Sequence, residues 1–193
     1  MPDRHQVMID IETLGKTPGC VILSVGAAVM DMETMTVVDQ KYWVLDLKEQ
    51  SEHHRHMDAD TVVWWMQQSD DARAAFRKLV PQTDATTFKI ELQALFDQYD
   101  TKTVWANGTN FDIPLLGNYI YSLFKGPGQE HEVVPWNYRW QDMRSLATVM
   151  DSVKPYSSFY SQRGTVAHNA LDDAIRQAEY VLECLKWIAS KKD

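Results

Sequence analysis

The chain has 193 residues, of which 45% are apolar and 24% are charged, the ordinary mix of a soluble globular protein and not that of a disordered chain. Its formal net charge of −8 argues against a DNA-packaging role, because an acidic surface repels phosphate backbones. A nuclease stays compatible with this charge, since bound divalent cations would invert the local field at its site. The length fits one domain over residues 1–193, built around one core.

Neither a membrane segment nor a leader is expected. The longest apolar runs, such as residues 21–30, are too short and too polar to cross a bilayer. Residues 1–6 lead into an apolar run, but Asp10 and Glu12 interrupt it, which predicts that there is no signal peptide. The 2 cysteines lie far apart and form no metal or redox motif. We therefore expect a cytoplasmic protein with free thiols and no membrane partner.

The pattern of apolar residues in the first part of the chain predicts strands. Residues 6–11 have the pattern of a buried strand with acids at its end, and residues 15–19 form a loop rich in turn formers. Residues 21–30 and 36–45 are apolar and β-branched, with a short polar stretch between them. Together the three segments predict an antiparallel β-meander at the start of a mixed sheet.

The remainder of the chain predicts helices around a short strand at residues 103–106. The stripe of residues 87–99 includes Ile90, Leu92, Leu95 and Phe96 at nearly helical spacing. The predicted helices cover residues 61–67, 72–79, 87–99, 111–124, 144–150 and a final segment from residue 170 onward, with irregular chain at 126–140 and 151–165. Strands followed by helices predict an α/β fold with helices flanking the sheet.

The final helix carries the clearest local signals. Asn169 is a favourable N-cap, and Asp172 and Asp173 lie in the first turn, where the helix dipole stabilises acids. His168 comes just before the cap, outside the helix. A residue in that position can turn back toward the same site as Asp173.

Carboxylates recur at positions that could form one site. Asp10 and Glu12 lie on the same side of a strand, because side chains repeat with period 2. Buried acids so close repel each other unless they share cations, and ligands that are all oxygen favour Mg²⁺ or Mn²⁺ over Zn²⁺. Asp112 and Asp173 are the natural suppliers of further ligands. An acid pair such as Asp10 and Glu12 is common on strands without a catalytic role. Asp112 and Asp173 alone each fit an ordinary helix-terminal role, and His168 alone fits a surface histidine. The joint order of these residues favours a site.

Three segments resemble the exonuclease motifs of the DEDDh superfamily. They are D-I-E-T-L-G at residues 10–15, W-A-N-G-T-N-F-D at residues 105–112 and H-N-A-L-D-D-A at residues 168–174, and they occur in the family's order. The second motif, with residues 64–69 and 142–146, most resembles the phage-type branch related to exodeoxyribonuclease VIII and the mycobacterial exoribonuclease-like family. The resemblance implies a ribonuclease H-like mixed sheet, with the antiparallel meander and parallel strands flanked by helices.

The resemblance also implies a mechanism. Two divalent ions, Mg²⁺ with Mn²⁺ as a substitute, would clamp the attacking and leaving oxygens, and nucleoside 5′-monophosphates would leave from the 3′ end. The residues implied are Asp10, Glu12, Asp112 and Asp173 as metal ligands, His168 as the base that activates water, and Thr13 and Leu14 as contacts to the terminal nucleotide. Several small members of the family pair, which makes a homodimer a further expectation.

Several alternatives stay open. Single-stranded DNA is slightly favoured as the substrate, and a 3′–5′ exoribonuclease or oligoribonuclease is the alternative, because the sugar choice rests on one hydroxyl contact. The chain has Asn107-Gly108 where many DEDDh enzymes have His-Asn, which bears on the same choice. The rival classes are a non-catalytic nucleic-acid-binding module on this fold, which usually lacks one acid or the histidine, and a small-molecule phosphatase.

Other residues have more than one interpretation. Trp64 and Trp65 could stack on bases, but adjacent helix positions face different directions, so one of them is expected in the core. His53, His54 and His56 lie in a polar loop without metal-ligand spacing, which does not favour a metal site. The candidate phosphate contacts are Lys125, Arg139, Arg144 and Arg163.

Overall fold

The fold is α/β, as predicted. The computed structural model describes residues 3–70, 72–73, 81–124, 134–136, 138–153 and 168–191. The strands are β1 (His5–Thr13), β2 (Ile22–Asp31), β3 (Thr36–Val44), β4 (Val104–Ala106) and β5 (Trp140–Asp142). The helices of the described residues are α1 (Leu47–Glu52), α2 (Ala59–Met66), α3 (Ala85–Gln98), α4 (Asp112–Phe124), α5 (Met143–Asp151) and α6 (Ala170–Ala189).

The strands form a 5-stranded sheet in the order β3-β2-β1-β4-β5. β1 pairs antiparallel with β2, and β2 pairs antiparallel with β3. β4 lies parallel to β1 on its other side, and β5 lies parallel to β4. The predicted meander and the added parallel strands are both confirmed, and β1 occupies the centre of the sheet.

The alternation of side chains along β1 divides the core into two layers. Val7, Ile9 and Ile11 belong to the hydrophobic cluster that includes residues of α3 and α4. Met8 belongs to a second cluster, with residues of α5 and α6. Asp10 lies two residues beyond Met8, and Glu12 two residues further, so both carboxylates lie on the α6 face of the sheet.

Side-chain caps fix where several helices begin. Asn169 accepts hydrogen bonds from the backbone N–H groups of Leu171 at 3.0 Å and Asp172 at 3.1 Å, which confirms the predicted N-cap. Asp58 occupies the N-cap position of α2 without a side-chain cap bond. Its carboxylate instead accepts from the backbone N–H of Lys16 at 2.9 Å, which ties the loop after β1 to α2.

Some predictions differ from the structure. α1 and β5 were not predicted, because their 6 and 3 residues are too few to establish a hydrophobic period. β5 also lacks the apolar sequence by which the equally short β4 is predicted. Ile90 does not belong to the buried stripe: it is 63% exposed, and α3 buries Phe88 instead. Most of the predicted helix at 72–79, part of the segment at 126–140 and the loop after residue 153 lie outside the described residues. Over the described residues, no helix has the length and apolar character needed to cross a membrane.

Candidate active site

A cluster of carboxylates forms where the end of β1 meets the start of α6. Ligand oxygens of Asp10, Glu12 and Asp173 all lie within 4.8 Å of one another. Asp10 and Glu12 are half-buried, and Asp173 is buried. Carboxylate oxygens at this spacing could hold a metal ion. Within the described part of the chain, this group alone has such geometry, and the histidines of residues 53–56 do not form another.

The approach of α6 to the sheet depends on Gly26. Gly26 lies opposite Asp10 in the β1–β2 register. A Cβ at Gly26 would lie 2.1 Å from the carbonyl oxygen of Ala170 and 2.5 Å from the backbone nitrogen of Leu171, so no larger residue fits there. Because α6 starts directly against the sheet beside Asp10, its first turn brings Asp173 to the acid pair. A glycine inside a strand often marks such a close backbone approach.

Asp112 joins the cluster from the other side of β1. It is the first residue of α4 and is 5% exposed. Its Oδ1 accepts a hydrogen bond from the backbone N–H of Ile11 at 3.3 Å, between the two acids of β1. The structure therefore places all four predicted carboxylates around the end of β1, although Asp112 is not a member of the group whose ligand atoms lie within 4.8 Å.

The electrostatics of the cluster favour a bound cation. Burial, with the nearby Asp112 and Glu12 carboxylates, raises the pKa of Asp10 well above its usual range. Burial and the Asp112 charge raise the pKa of Glu12 to about 7. Burial also raises the pKa of Asp112 to about 7, against the hydrogen bond from Ile11 and the charge of Arg144. Crowded carboxylates bind protons near neutrality, and divalent cations would compete for the same oxygens.

Two residues of α6 contact the acids directly. Gln177 Nε2 donates a hydrogen bond to Asp10 Oδ1 at 2.7 Å, and Gln177 is 4% exposed. Arg176 forms an ion pair with Asp173. Neither residue was predicted from the sequence. Gln177 lies four positions after Asp173, a spacing that places two side chains on one helix face and could have indicated its role.

His168 lies in a turn immediately before the N-cap of α6, outside the helix as predicted. Its backbone has a φ of 67°, in the left-handed region. Its ring packs edge-to-face against Trp64, with 4.8 Å between ring centroids and 83° between ring planes. The base candidate is therefore held beside the first helix turn that carries Asp173.

A pocket of about 370 Å³ opens beside Glu12. Thr13 lines it, and the Thr13 hydroxyl donates to the carbonyl oxygen of Gly15 at 2.6 Å. Leu14 packs against the hydrophobic cluster that contains Trp65. The other residues that line the pocket are Ile11, Gly15, Lys16, Asp60, Thr61, Trp64, Trp65 and Phe111. Trp65 is 5% exposed and Trp64 is 40% exposed, which confirms that one indole belongs to the core.

The candidate phosphate contacts separate into two groups. Arg139 forms an ion pair with Asp3 at 2.8 Å. Arg144 donates to the carbonyl oxygen of Asn107 at 3.3 Å, close enough to the cluster to lower the pKa of Asp112. Arg163 and Lys125 lie outside the described residues. Arg144 is therefore the member of the set whose position beside the carboxylates is described.

The mixed sheet and its carboxylate cluster agree with the resemblance to the DEDDh exonucleases. Residues 5–185 match the family model described as the 3′-5′ exoribonuclease Rv2179c-like domain. The chain belongs to this family, and it is a hydrolytic nuclease. The match covers every element from β1 through most of α6, which includes all the predicted site residues.

A sequence relative supports the same assignment, and solved structures share the fold. The chain is 24% identical over 214 residues to an exodeoxyribonuclease of Enterobacteria phage T4, a match that covers 96% of this chain and 91% of the relative. The nuclease domain of 3′hExo, a DEDDh family member bound to rAMP, superposes with a TM-score of 0.59 at 14% identity, covering 95% of this chain and 92% of that one. A zinc-bound E. coli ExoI–ssDNA complex gives a TM-score of 0.65 at 14% identity, covering 98% of this chain and 42% of that one. The structural matches show a shared fold.

Proposed function

We propose that this protein is a two-metal-ion exonuclease that removes nucleoside 5′-monophosphates from the 3′ end of a single-stranded nucleic acid. The observation that carries the proposal is the group formed by Asp10, Glu12 and Asp173, whose ligand oxygens lie within 4.8 Å of one another. Asp112 completes the set through its bond to Ile11. The adjoining pocket offers space for one nucleotide at a strand end.

The donor set fits hard divalent cations. All four side chains supply carboxylate oxygens, which favour Mg²⁺, with Mn²⁺ as a substitute. Asp10 would serve both ions, with Glu12 and Asp173 at one of them and Asp112 at the other. When bound, the ions would polarise the phosphodiester and make the attacking water more acidic. The raised pKa values of Glu12 and Asp112 support a metal site, because they indicate crowded carboxylates whose negative charge a bound cation would offset.

The residues of the chain supply the remaining chemistry. His168 takes the proton of the water as the water oxygen bonds to phosphorus, and histidine is the side chain that most often serves as a general base. The bond from phosphorus to the 3′ oxygen of the preceding nucleotide breaks, and that oxygen takes a proton from solvent to become the new 3′ hydroxyl. The product therefore carries its phosphate on the 5′ oxygen. Gln177 donates a 2.7 Å hydrogen bond to Asp10 Oδ1 and so fixes the plane of the Asp10 carboxylate. The direction in which Asp10 Oδ2 points is then fixed as well.

The pocket beside Glu12 would receive the terminal nucleoside. Phe111 supplies aromatic surface on its wall, which suits a nucleobase of any identity because every base has a π-face. Thr13 lies on the same wall and stays a predicted contact to the terminal sugar. Leu14 stays a predicted contact to the terminal base, next to Thr13 on the chain.

Single-stranded DNA is the predicted substrate and RNA the alternative. The phage relative is named an exodeoxyribonuclease, whereas the family description names an exoribonuclease. A contact to one 2′-hydroxyl decides between them. The homodimer, the cytoplasmic location and the single domain over residues 1–193 also stay predictions.

The test is degradation of 5′-labelled single-stranded DNA and RNA of matched sequence, in Mg²⁺, in Mn²⁺ and in chelator. We expect a metal-dependent ladder that shortens from the 3′ end and is lost in Asp10→Ala and His168→Ala. Asp97→Ala, which removes an acid of α3, a helix that packs on the opposite face of the sheet, should leave the ladder unchanged. Absence of shortening of either strand in any metal would contradict the exonuclease proposal and favour the binding module.

A further inference from the structure

The backbone of His168 has an unusual conformation that surrounding contacts must stabilise. Its φ of 67° lies in the left-handed region, which non-glycine residues seldom adopt. The residue immediately after it, Asn169, is the N-cap that starts α6. A strained residue at a functional position persists when the surrounding contacts determine its conformation. Contacts to the imidazole side chain would therefore hold His168 in this conformation.

The contacts are aromatic. The His168 ring lies 4.8 Å from Trp64, at an interplanar angle of 83°, and 6.2 Å from Trp65, at 79°. The two indoles are themselves edge-to-face, with centroids 5.1 Å apart. These separations fall in the range of about 4.5–7 Å at which edge-to-face aromatic pairs attract each other. The three rings therefore form one cluster with fixed mutual angles.

This ring cluster is anchored on the strand that carries the acid pair. Trp65 is 5% exposed, and its Nε1 donates a hydrogen bond to the carbonyl oxygen of Thr13 at 2.9 Å. Thr13 follows Glu12 directly on β1. Trp65 also packs against Val21 and Leu23 in the third hydrophobic cluster. A chain of contacts thus runs from the end of β1 through Trp65 and Trp64 to His168.

We propose that Trp64 is a positioning residue that holds the His168 imidazole in place to act as the base. This inference rests on the proposed exonuclease function. Trp64 has the shorter centroid distance to His168, and its exposed fraction of 40% means that it adds little to the core. Its removal should act on the chemical step through His168. A Trp64 that served only as a stacking surface would instead act on substrate binding.

A double-mutant cycle separates these roles. The substrate is the p-nitrophenyl ester of thymidine 5′-monophosphate, whose activated leaving group keeps the slow variants measurable. We expect Trp64→Ala to lower kcat roughly 10-fold when His168 is present and to change it less than about 2-fold in His168→Ala, with KM nearly constant. Trp64→Phe, which keeps an aromatic ring, should restore most of kcat. An increase in KM of equal size in both backgrounds would overturn the proposal and assign Trp64 to base stacking.

A spectroscopic measurement tests the same proposal without activity. The His168 ring protons, assigned by their loss in His168→Ala, should have NMR shifts displaced from random-coil values by the indole ring current. The displacement should become markedly smaller in Trp64→Ala, where only Trp65 at 6.2 Å remains, and should persist in Trp64→Phe. Val63→Ala, at the neighbouring exposed position of α2, is the matched control and should change neither kcat nor the shifts. Random-coil shifts in the wild-type protein would overturn the positioning role, whereas wild-type protein without metal-dependent hydrolysis would overturn the exonuclease function.

Discussion

The carboxylate cluster (Asp10, Glu12, Asp112 and Asp173) and the histidine turn (His168 and Asn169) are built in different ways. The acids come from the central strand and from the first turns of α4 and α6. β1 is bonded to β2 over its whole length and to β4 on its other edge. The histidine turn has no such frame in the described residues, and side chains determine its geometry: the aromatic rings and the Asn169 cap.

This difference determines which changes should impair the carboxylate cluster, the first half of the site, and which should impair the histidine turn, the second half. The carboxylate cluster is held rigidly by the sheet but is electrostatically unfavourable, because burial and mutual repulsion raise the pKa values of its members. The histidine turn has little charge to accommodate but contains a backbone conformation that its neighbours must hold. Charge, pH and cations should therefore act mainly on the first half, and loss of packing or capping on the second.

The largest expected effect is the loss of activity in Asp10→Asn. The amide keeps the shape of the side chain but removes a charge that the cations need, so kcat/KM in Mg²⁺ should fall by at least about 10³-fold. In chelator the same variant should melt at a higher temperature than the wild type, because a buried carboxyl with a raised pKa no longer has to ionise.

The measurements are single-turnover hydrolysis and thermal unfolding with and without Mg²⁺. Asp97→Asn, which changes an acid of α3 outside the cluster, should alter neither quantity appreciably. Activity of Asp10→Asn within 10-fold of the wild type would show that Asp10 is not a metal ligand.

The next largest effect is expected for Gly26→Ala, which disturbs the packing of α6 against the sheet. A Cβ only 2.1 Å from the Ala170 carbonyl oxygen forces α6 away from the sheet. The free energy of unfolding should fall by about 3 kcal/mol, at the upper end of overpacking costs. The folded fraction should also lose activity, because Asp173 moves with α6 relative to Asp10.

Gly117→Ala is the matched control for that change. Gly117 lies in α4, and an added Cβ there would have no heavy atom within 4 Å. The substitution should raise the free energy of unfolding by roughly 0.5–1 kcal/mol, because alanine is the better helix former. Urea titration measures both variants. A neutral Gly26→Ala would mean that α6 does not rest on β2 as described.

The same contrast explains which features the sequence predicts. The meander, the N-cap and the acids follow from local periods of 2 along strands and from residue types at helix ends, so they were predictable from the chain. The pairing of Asp10 with Gly26 is a matter of register between strands, and the hydrogen bond from Gln177 to Asp10 joins residues far apart in sequence. Neither has a local signal strong enough to predict it alone.

The histidine turn was predictable in part. The position of His168 before the cap followed from the strength of Asn169 as an N-cap. Its neighbour Trp64 did not follow, because the two residues belong to elements that meet only in the folded chain. The sequence alone leaves Trp64 as a base-stacking candidate, and that interpretation stays as the alternative outcome of the double-mutant cycle.

A third and smaller effect is a dependence of metal-free stability on pH. Glu12 and Asp112 have pKa values of about 7 in the folded chain, above the usual values of about 4 for unfolded carboxyls. Between these values the folded state binds more protons than the unfolded state. The stability that these two groups contribute is therefore fully present below about pH 4 and is lost as the pH rises through about 7.

In chelator, the melting temperature should fall from pH 5 to pH 8, and saturating Mg²⁺ should reverse the trend because ions replace the lost protons. The gain on adding Mg²⁺ should be larger at pH 8 than at pH 5 by roughly 5 °C. Glu12→Gln should flatten the slope in chelator. A melting temperature that rises with pH in chelator over this window would contradict the raised pKa values.

The smallest effect separates capping from catalysis in Asn169→Ala. Loss of the bonds to the Leu171 and Asp172 N–H groups should lower the free energy of unfolding by about 1 kcal/mol, a typical value for an N-cap. Because the cap also fixes the residue next to His168, kcat should fall several-fold beyond what the folded fraction explains.

Asp84→Ala removes the corresponding cap of α3, where the carboxylate accepts from Thr87 N–H at 2.9 Å. That variant should also melt at a lower temperature yet retain the wild-type kcat, since α3 packs on the face of the sheet opposite the carboxylates. Equal kcat values for the two cap variants would mean that the histidine turn does not depend on its cap, and the aromatic rings alone would then have to hold His168.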